Sequence, residues 1–287
     1  MPTTADAIDR LTTLPGVPDA VEAAREACTA LRWHEALRRR SAEAAAEAAV
    51  RAARASAALA GGRFPLDLVR DVVRGAAVLP DDPAGRTAQG AVRAIAQVDR
   101  LPATWTRSPA QALAGLHTAA TAGLLPDEDV GRPRRPGELP GDGADLFEPS
   151  GAEVPAPEGP ALAARLATLS QVLAAPATSP ALVVAALAHA EVAVARPFAA
   201  GNGVVARAVC RAVVVGRGLD PTAVAVWEVA LLAAGPAYPL ALGAYASGTP
   251  EGVTRWLLTF ADAVVAGAAE GRAVCDAVLA GRLPRQQ

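Results

Sequence analysis

The stretch Arg196-Pro-Phe-Ala-Ala-Gly-Asn-Gly-Val-Val-Ala-Arg207 gathers the residue types from which an anion site is built. A helix expected to end near Ala195 gives way to a turn bracketed by Gly201 and Gly203. A second helix is expected to start at Val204, with its free N–H groups facing the turn. The two glycines can take positive φ so that successive N–H groups form a concave nest, and Asn202 tolerates a left-handed conformation while offering an amide. Arg207, one turn into the second helix, brings a guanidinium within reach of a bound phosphate. The same pattern also fits a helix–turn–helix corner with no ligand.

The elements that would position this turn are helical. Residues 18 to 60 carry an Ala, Glu and Arg pattern that includes Arg38, Arg39, Arg40, Glu43 and Glu47, which suits helices with solvated faces, and Gly61 and Gly62 end the run. Shorter helices are expected at 65–75, 84–99 and 108–121, separated by Pro80, Pro83 and Pro102. From Pro126 to Pro160 the chain is rich in Pro, Gly and acidic residues and reads as a long surface segment, with a weak hairpin signal within 137–149. Helices resume at 160–174 and at 180–195, where Ser179 suits an N-cap and Pro180 the first helical position. They continue at 204–215, 221–234 and 250–270. The expected fold is all-α: an N-terminal helical region over 1–107, a second unit over 108–270 and a C-terminal tail over 271–287.

The segment 196–207 resembles the signature of the Fic (Fido) family, His-Pro-Phe-x-Asp/Glu-Gly-Asn-Gly-Arg-x-x-Arg, in order and spacing. Pro197, Phe198, Gly201, Asn202, Gly203 and Arg207 agree. Upstream, Leu116 to Arg134 is similar to the family's Leu-His, turn and Gly-x-x-Arg segment. Downstream, Tyr238 to Tyr245 and Trp256 to Phe260 resemble its Tyr-rich and Trp-x-x-Phe-Phe-like helices. The resemblance spans about 108 to 265 and implies a Fic-like helical bundle that handles nucleotide phosphates, ATP or another nucleotide.

The departures bear on activity. The family's signature His is a general base, and that position holds Arg196, a side chain that only donates. The acidic residue that holds magnesium in the family is Ala200 here, and a methyl group ligates no metal. The family's first signature arginine is Val204. No catalytic residue of the family pattern is therefore intact. The remaining phosphate-binding candidates are Arg196, Gly201, Asn202, Gly203 and Arg207, with no metal ligand. Ser56-Ala-Ala-Leu-Ala-Gly61 has the frame of the family's inhibitory Ser/Thr-x-x-x-Glu-Gly/Asn helix, with Ala60 where the glutamate belongs.

Composition sets the outer bounds. With 287 residues, 52% hydrophobic and 20% charged, the chain suits a globular core and is too apolar for a disordered one. All 27 basic residues are arginine and Asn202 is the only asparagine, a G+C-driven bias that points to an actinobacterial source and makes Asn202 a kept residue. A net charge of −2 gives no basic footprint for nucleic acid. No membrane segment is read, and the absence of a signal peptide suggests the cytoplasm. Cys28, Cys210 and Cys275 have neither disulfide nor zinc spacing, and His34, His117 and His189 lack metal-site spacing. His189 reads as a hydrogen-bonded core histidine, and Trp227 and Trp256 read as core.

The leading expectation is a degenerate Fic-like protein without ordinary AMP transfer that binds a phosphate-bearing ligand or a partner protein at the signature loop. The alternative is a transferase or phosphate-group lyase of changed chemistry, in which Arg196 and Arg207 hold phosphates. A helical scaffold is the third reading. The protein target and the oligomeric state are left open.

Overall fold

The computed structural model of this chain describes residues 3–98, 100–101, 104–141 and 146–282. Among them the fold is all-α. The helices are α1 (Thr4–Leu11), α2 (Val17–Arg32), α3 (Glu35–Arg39), α4 (Ser41–Leu59), α5 (Leu66–Val73), α6 (Pro83–Val98), α7 (Thr104–Arg107), α8 (Pro109–Thr121), α9 (Gly159–Leu173), α10 (Ala181–Ala195), α11 (Asn202–Gly216), α12 (Trp227–Ala233), α13 (Ala237–Ala246) and α14 (Pro250–Leu279). The long connection between α8 and α9 holds one 3₁₀ turn, Asp127–Asp129, and the described β-pairing is two isolated bridges, Ala122 with Leu125 and Phe147 with Glu153.

The centre of the fold is the α10–α11 pair. The sequence of α10, ALVVAALAHAEVAVA, has no polar stripe, and every residue from Leu182 to Ala195 is buried. A helix that is apolar all round belongs in the interior. Its small side chains let α9, α11, α13 and α14 pack against it, while α4 bridges α6, α11, α12 and α14. Close approach also governs α6 and α8. They cross at Gly90, where a Cβ would lie 1.9 Å from the Ala120 carbonyl oxygen. No described helix alone is long and apolar enough to cross a membrane.

The core runs without a break from Ile8 and Cys28 to Val274 and Val278, so it continues across residue 107, where two units were expected to meet. The expected tail at 271 begins inside α14, whose Gly271, Val274, Cys275 and Val278 are buried. The expected run 18–60 is three helices, because extended His34 caps α3 by accepting the Ala36 N–H and α4 starts afresh after Arg40. Gly61 does end α4, at φ 93°, with the Gly62 N–H returning to the Ala57 carbonyl at 2.8 Å.

Other boundaries shift for local reasons. Pro180, not Ser179, is the N-cap of α10 and makes no side-chain cap bond. The helix expected from 221 begins at Trp227, since the Asp220 carboxylate accepts the N–H groups of Thr222 and Ala225 and folds that stretch into a loop. Asp99, Pro102, residues 142–145 of the expected hairpin and the last five residues of the expected tail lie outside the described residues. The hairpin-like pairing that is described comes later: Val154 N–H donates to Leu146 O at 2.7 Å, and Glu148 N–H to Ala152 O at 2.8 Å.

Candidate functional site

The turn between α10 and α11 begins at Arg196, which caps α10 in the left-handed conformation (φ 45°, ψ 58°). Pro197 cannot donate a backbone hydrogen bond, so the helix cannot continue through it. Gly201 sits at φ 76°, and α11 starts at Asn202, two residues before the expected Val204. Asn202 and Gly203 therefore belong to the first helical turn, and Gly203 does not adopt the positive φ expected of it. The Asn202 amide faces inward: Oδ1 accepts the Phe198 N–H and Nδ2 donates to the Phe198 carbonyl, each at 2.9 Å.

The turn is held from α8 by His117. The Gly131 N–H donates to its Nδ1 at 2.9 Å, which leaves the proton on Nε2 to donate to Ala200 O at 3.1 Å. Its ring stacks on Phe198 at 4.0 Å between centroids. Burial pushes the imidazole pKa down to about 4, against a smaller opposing effect of the Ala200 carbonyl. Thr121, one turn along α8, packs its Cγ2 where a Cβ on Gly201 would lie, 2.6 Å away.

Two arginines secure the long connection. Arg134 is buried and donates through Nε to Arg196 O at 2.8 Å and through Nη2 to Pro157 O at 3.0 Å, while its backbone N–H donates to Pro197 O at 2.7 Å. A cation at the C-terminus of α10 also suits the helix dipole. Burial lowers the Arg134 pKa from its ordinary value. Arg196, 7% exposed, donates its Nη2 to the Val154 carbonyl.

Arg207 is buried beside the first turn of α11, its Nη1 3.2 Å from where a Cβ on Gly203 would lie. Its Nε donates to Ser56 Oγ at 2.8 Å and its Nη2 to Ser56 O at 2.9 Å. It also acts on buried Tyr238, whose hydroxyl lies 2.7 Å from His189 Nε2. His189 is packed against Trp256, with ring centroids 5.0 Å apart, and burial together with the Arg207 charge lowers its pKa to about 3. It is the hydrogen-bonded core histidine expected of it. Trp227 and Trp256 are fully buried, as expected. Glu191 joins a separate group, accepting Arg165 Nη1 at 2.8 Å and Tyr245 Oη at 2.6 Å.

At the head of α11 a cleft of about 360 Å³ is lined by the end of α4 (Ala60), the start of α6 (Pro83, Thr87), the end of α8 and its turn (Ala120, Leu124, Leu125), and Gly141, Ala199, Ala200, Gly201 and Val204. Ala60, Ala200 and Val204, where the resemblance expects a glutamate, an acidic residue and an arginine, all line this one cleft. Asn202, Gly203, Arg196 and Arg207 are not among its lining residues. Hydrocarbon side chains at these positions supply no ligand for magnesium, and among the described residues no group of three or more His, Cys, Asp or Glu is arranged to hold a metal.

This architecture is similar to that of solved Fic proteins. A Fic family protein from Desulfovibrio desulfuricans G20 superposes with a TM-score of 0.72 at 20% identity, over 95% of this chain and 77% of the other. A fragment of Fic-1 from C. elegans gives 0.66 at 17% identity, over 92% and 73% of the two chains. A single-substitution variant of that fragment gives 0.62 at 16% identity, over 96% and 74%. No family model and no curated protein matches the chain. The chain therefore has a Fic-like fold.

Sequence reasoning did not pair Ser56 with Arg207, although a serine in an alanine run was a signal, nor did it give His117 and Thr121 their positions around the turn or Tyr238 its place beside His189 and Arg207.

Proposed function

We propose that this chain is a Fic-fold protein that binds a ligand or partner at the α10–α11 turn and does not transfer AMP. The observation that carries this reading is Arg196. The position that the resemblance assigns to a general base holds a buried guanidinium committed to the Val154 carbonyl. A donor-only group accepts no proton from a target hydroxyl, and loss of a general base costs about 10²- to 10⁴-fold in rate. The methyl group of Ala200 supports the same reading. The described contacts of Arg196 and Arg207, to Val154 for the first and to Ser56 and Tyr238 for the second, lend no support to a changed chemistry in which the two grip phosphates. Three buried thiols without disulfides favour action in a reducing compartment, the cytoplasm.

The test is incubation of the purified chain and a cell lysate with labelled ATP and magnesium, read by mass spectrometry. No modified protein is expected. AMP incorporation that disappears in Arg207→Ala would overturn the proposal.

A further inference from the structure

We infer that the cleft at the head of α11 takes an uncharged, mainly hydrocarbon small molecule and excludes nucleotides, an inference that rests on reading this turn as a ligand site without AMP transfer. Ala60 on the rim comes from the end of α4 and buried Ala200 and Val204 from the turn and the start of α11, and all three present only hydrocarbon. Leu124 and Leu125 add two more apolar side chains. Among the described residues that line the cleft none is ionisable, and Thr87 carries the one side-chain hydroxyl among them.

Charge decides the ligand class. A phosphate chain moved from water onto such a wall loses its hydration and meets no side-chain cation among the described lining residues, and the partial charge at the start of α11 offsets only part of that cost. The Arg207 guanidinium, the nearest signature cation on α11, is held by Ser56. Thr87 sets the polar requirement: its Oγ1 donates to Pro83 O at 2.7 Å, so the oxygen offers only lone pairs outward. A ligand matched to it carries one hydroxyl or N–H donor.

Size sets the rest. The volume of about 360 Å³ lies at the small end of the range of about 300–1,000 Å³ for ligand sites, and an apolar cavity of about 150 Å³ already takes benzene. One or two rings with a single donor fill it.

The test is isothermal titration of the full chain with p-cresol and with indole, set beside ATP and pyrophosphate under the same conditions. Saturable binding of the two neutral probes and none of the anions is expected. Ala60→Trp, on the exposed rim, blocks the cleft and should weaken both probes at least tenfold, and Leu124→Trp should do the same from another wall. Neutral probes that do not saturate, or that bind Ala60→Trp and Leu124→Trp as well as wild type, would overturn the inference, as would saturable ATP binding lost in Ala60→Trp. The labelling experiment is independent: no probe binding with no AMP transfer removes this inference alone, whereas AMP transfer removes the reading beneath it.

Discussion

Asn202 and Phe198 are joined by a reciprocal pair of hydrogen bonds, amide oxygen to backbone N–H and amide nitrogen to backbone carbonyl, both at 2.9 Å. The segment from Phe198 to Asn202 is thereby closed into a ring, and the carboxamide suits it because its donor and its acceptor sit on two atoms of one short side chain, an arrangement that glutamine repeats only on a longer stem.

The first prediction follows from that ring. If the residue only had to tolerate positive φ, Asn202→Gly would be nearly silent, but Asn202 is helical and it is Gly201 that takes φ 76°. Asn202→Gly removes both bonds in a buried turn and should cost about 1–3 kcal/mol for the backbone groups left unsatisfied. Urea denaturation measures it, and an unchanged midpoint would contradict the closed ring.

A second prediction concerns Gly201 and Thr121. Gly201→Ala forces a Cβ to 2.6 Å from Thr121 Cγ2 at a φ that L residues avoid. Destabilisation of about 1–3 kcal/mol is expected. Thr121→Ser removes the methyl and keeps the hydroxyl that donates to His117 O at 2.8 Å. In the double variant the steric part should be recovered and about 1–2 kcal/mol of left-handed strain should remain. Additive losses in the double-mutant cycle would refute the contact.

Arg196 yields a third. Arg196→Gln shortens the donor that reaches Val154 O, so the 146–154 pairing should open more often. Loss of about 1 kcal/mol corresponds to roughly fivefold faster hydrogen exchange. The effect should centre on the Val154 and Glu148 amides, which bond to Leu146 O and Ala152 O. Equal protection in both proteins would show that Arg196 does not hold this segment.

Much of this architecture is legible in the sequence because it rests on local signals. The apolar run of α10, the glycine stop at Gly61 and the Pro-Phe-x-x-Gly-Asn-Gly turn fix helix ends from neighbouring residues alone. Leu116-His117 and Gly131-x-x-Arg134 stand out as motif positions, and each meets the turn: His117 through Ala200, Gly131 through His117 and Arg134 through Pro197. What stays hidden is the direction of side chains across long separations. The resemblance of Ser56–Gly61 to the inhibitory helix, whose glutamate pairs with the last signature arginine, brings that helix to Arg207, but nothing near Arg207 in sequence says that Ser56, 151 residues away, accepts its guanidinium. Nor does spacing reveal that Ala60, Ala200 and Val204 line one cleft, since that depends on how α4 crosses α11.

The last prediction is a pH dependence carried by His117 and His189. Both are held neutral in the folded protein, with pKa values of about 4 and about 3 against an ordinary 6.5, because each is taken out of water. Below pH 6.5 the unfolded chain binds protons at these sites and the folded chain does not. Stability therefore rises with pH between the folded and unfolded values and is lost as pH falls from about 6.5 toward 4. At 1.36 kcal/mol per unit of pH, each histidine should remove about 1 kcal/mol between pH 7 and 5.5. The Glu138 carboxylate, held down to about 2 chiefly by the Arg132 guanidinium, has its window below the ordinary carboxylate value of 4.5 and leaves this interval clear. Urea titrations at pH 7, 6.5, 6 and 5.5 read the slope. His117→Gln and His189→Gln should each flatten it by about one histidine's share, whatever they do to stability at pH 7. A slope that survives both substitutions would mean that protons enter the protein elsewhere and that these imidazoles are not the buried neutral groups their contacts make them.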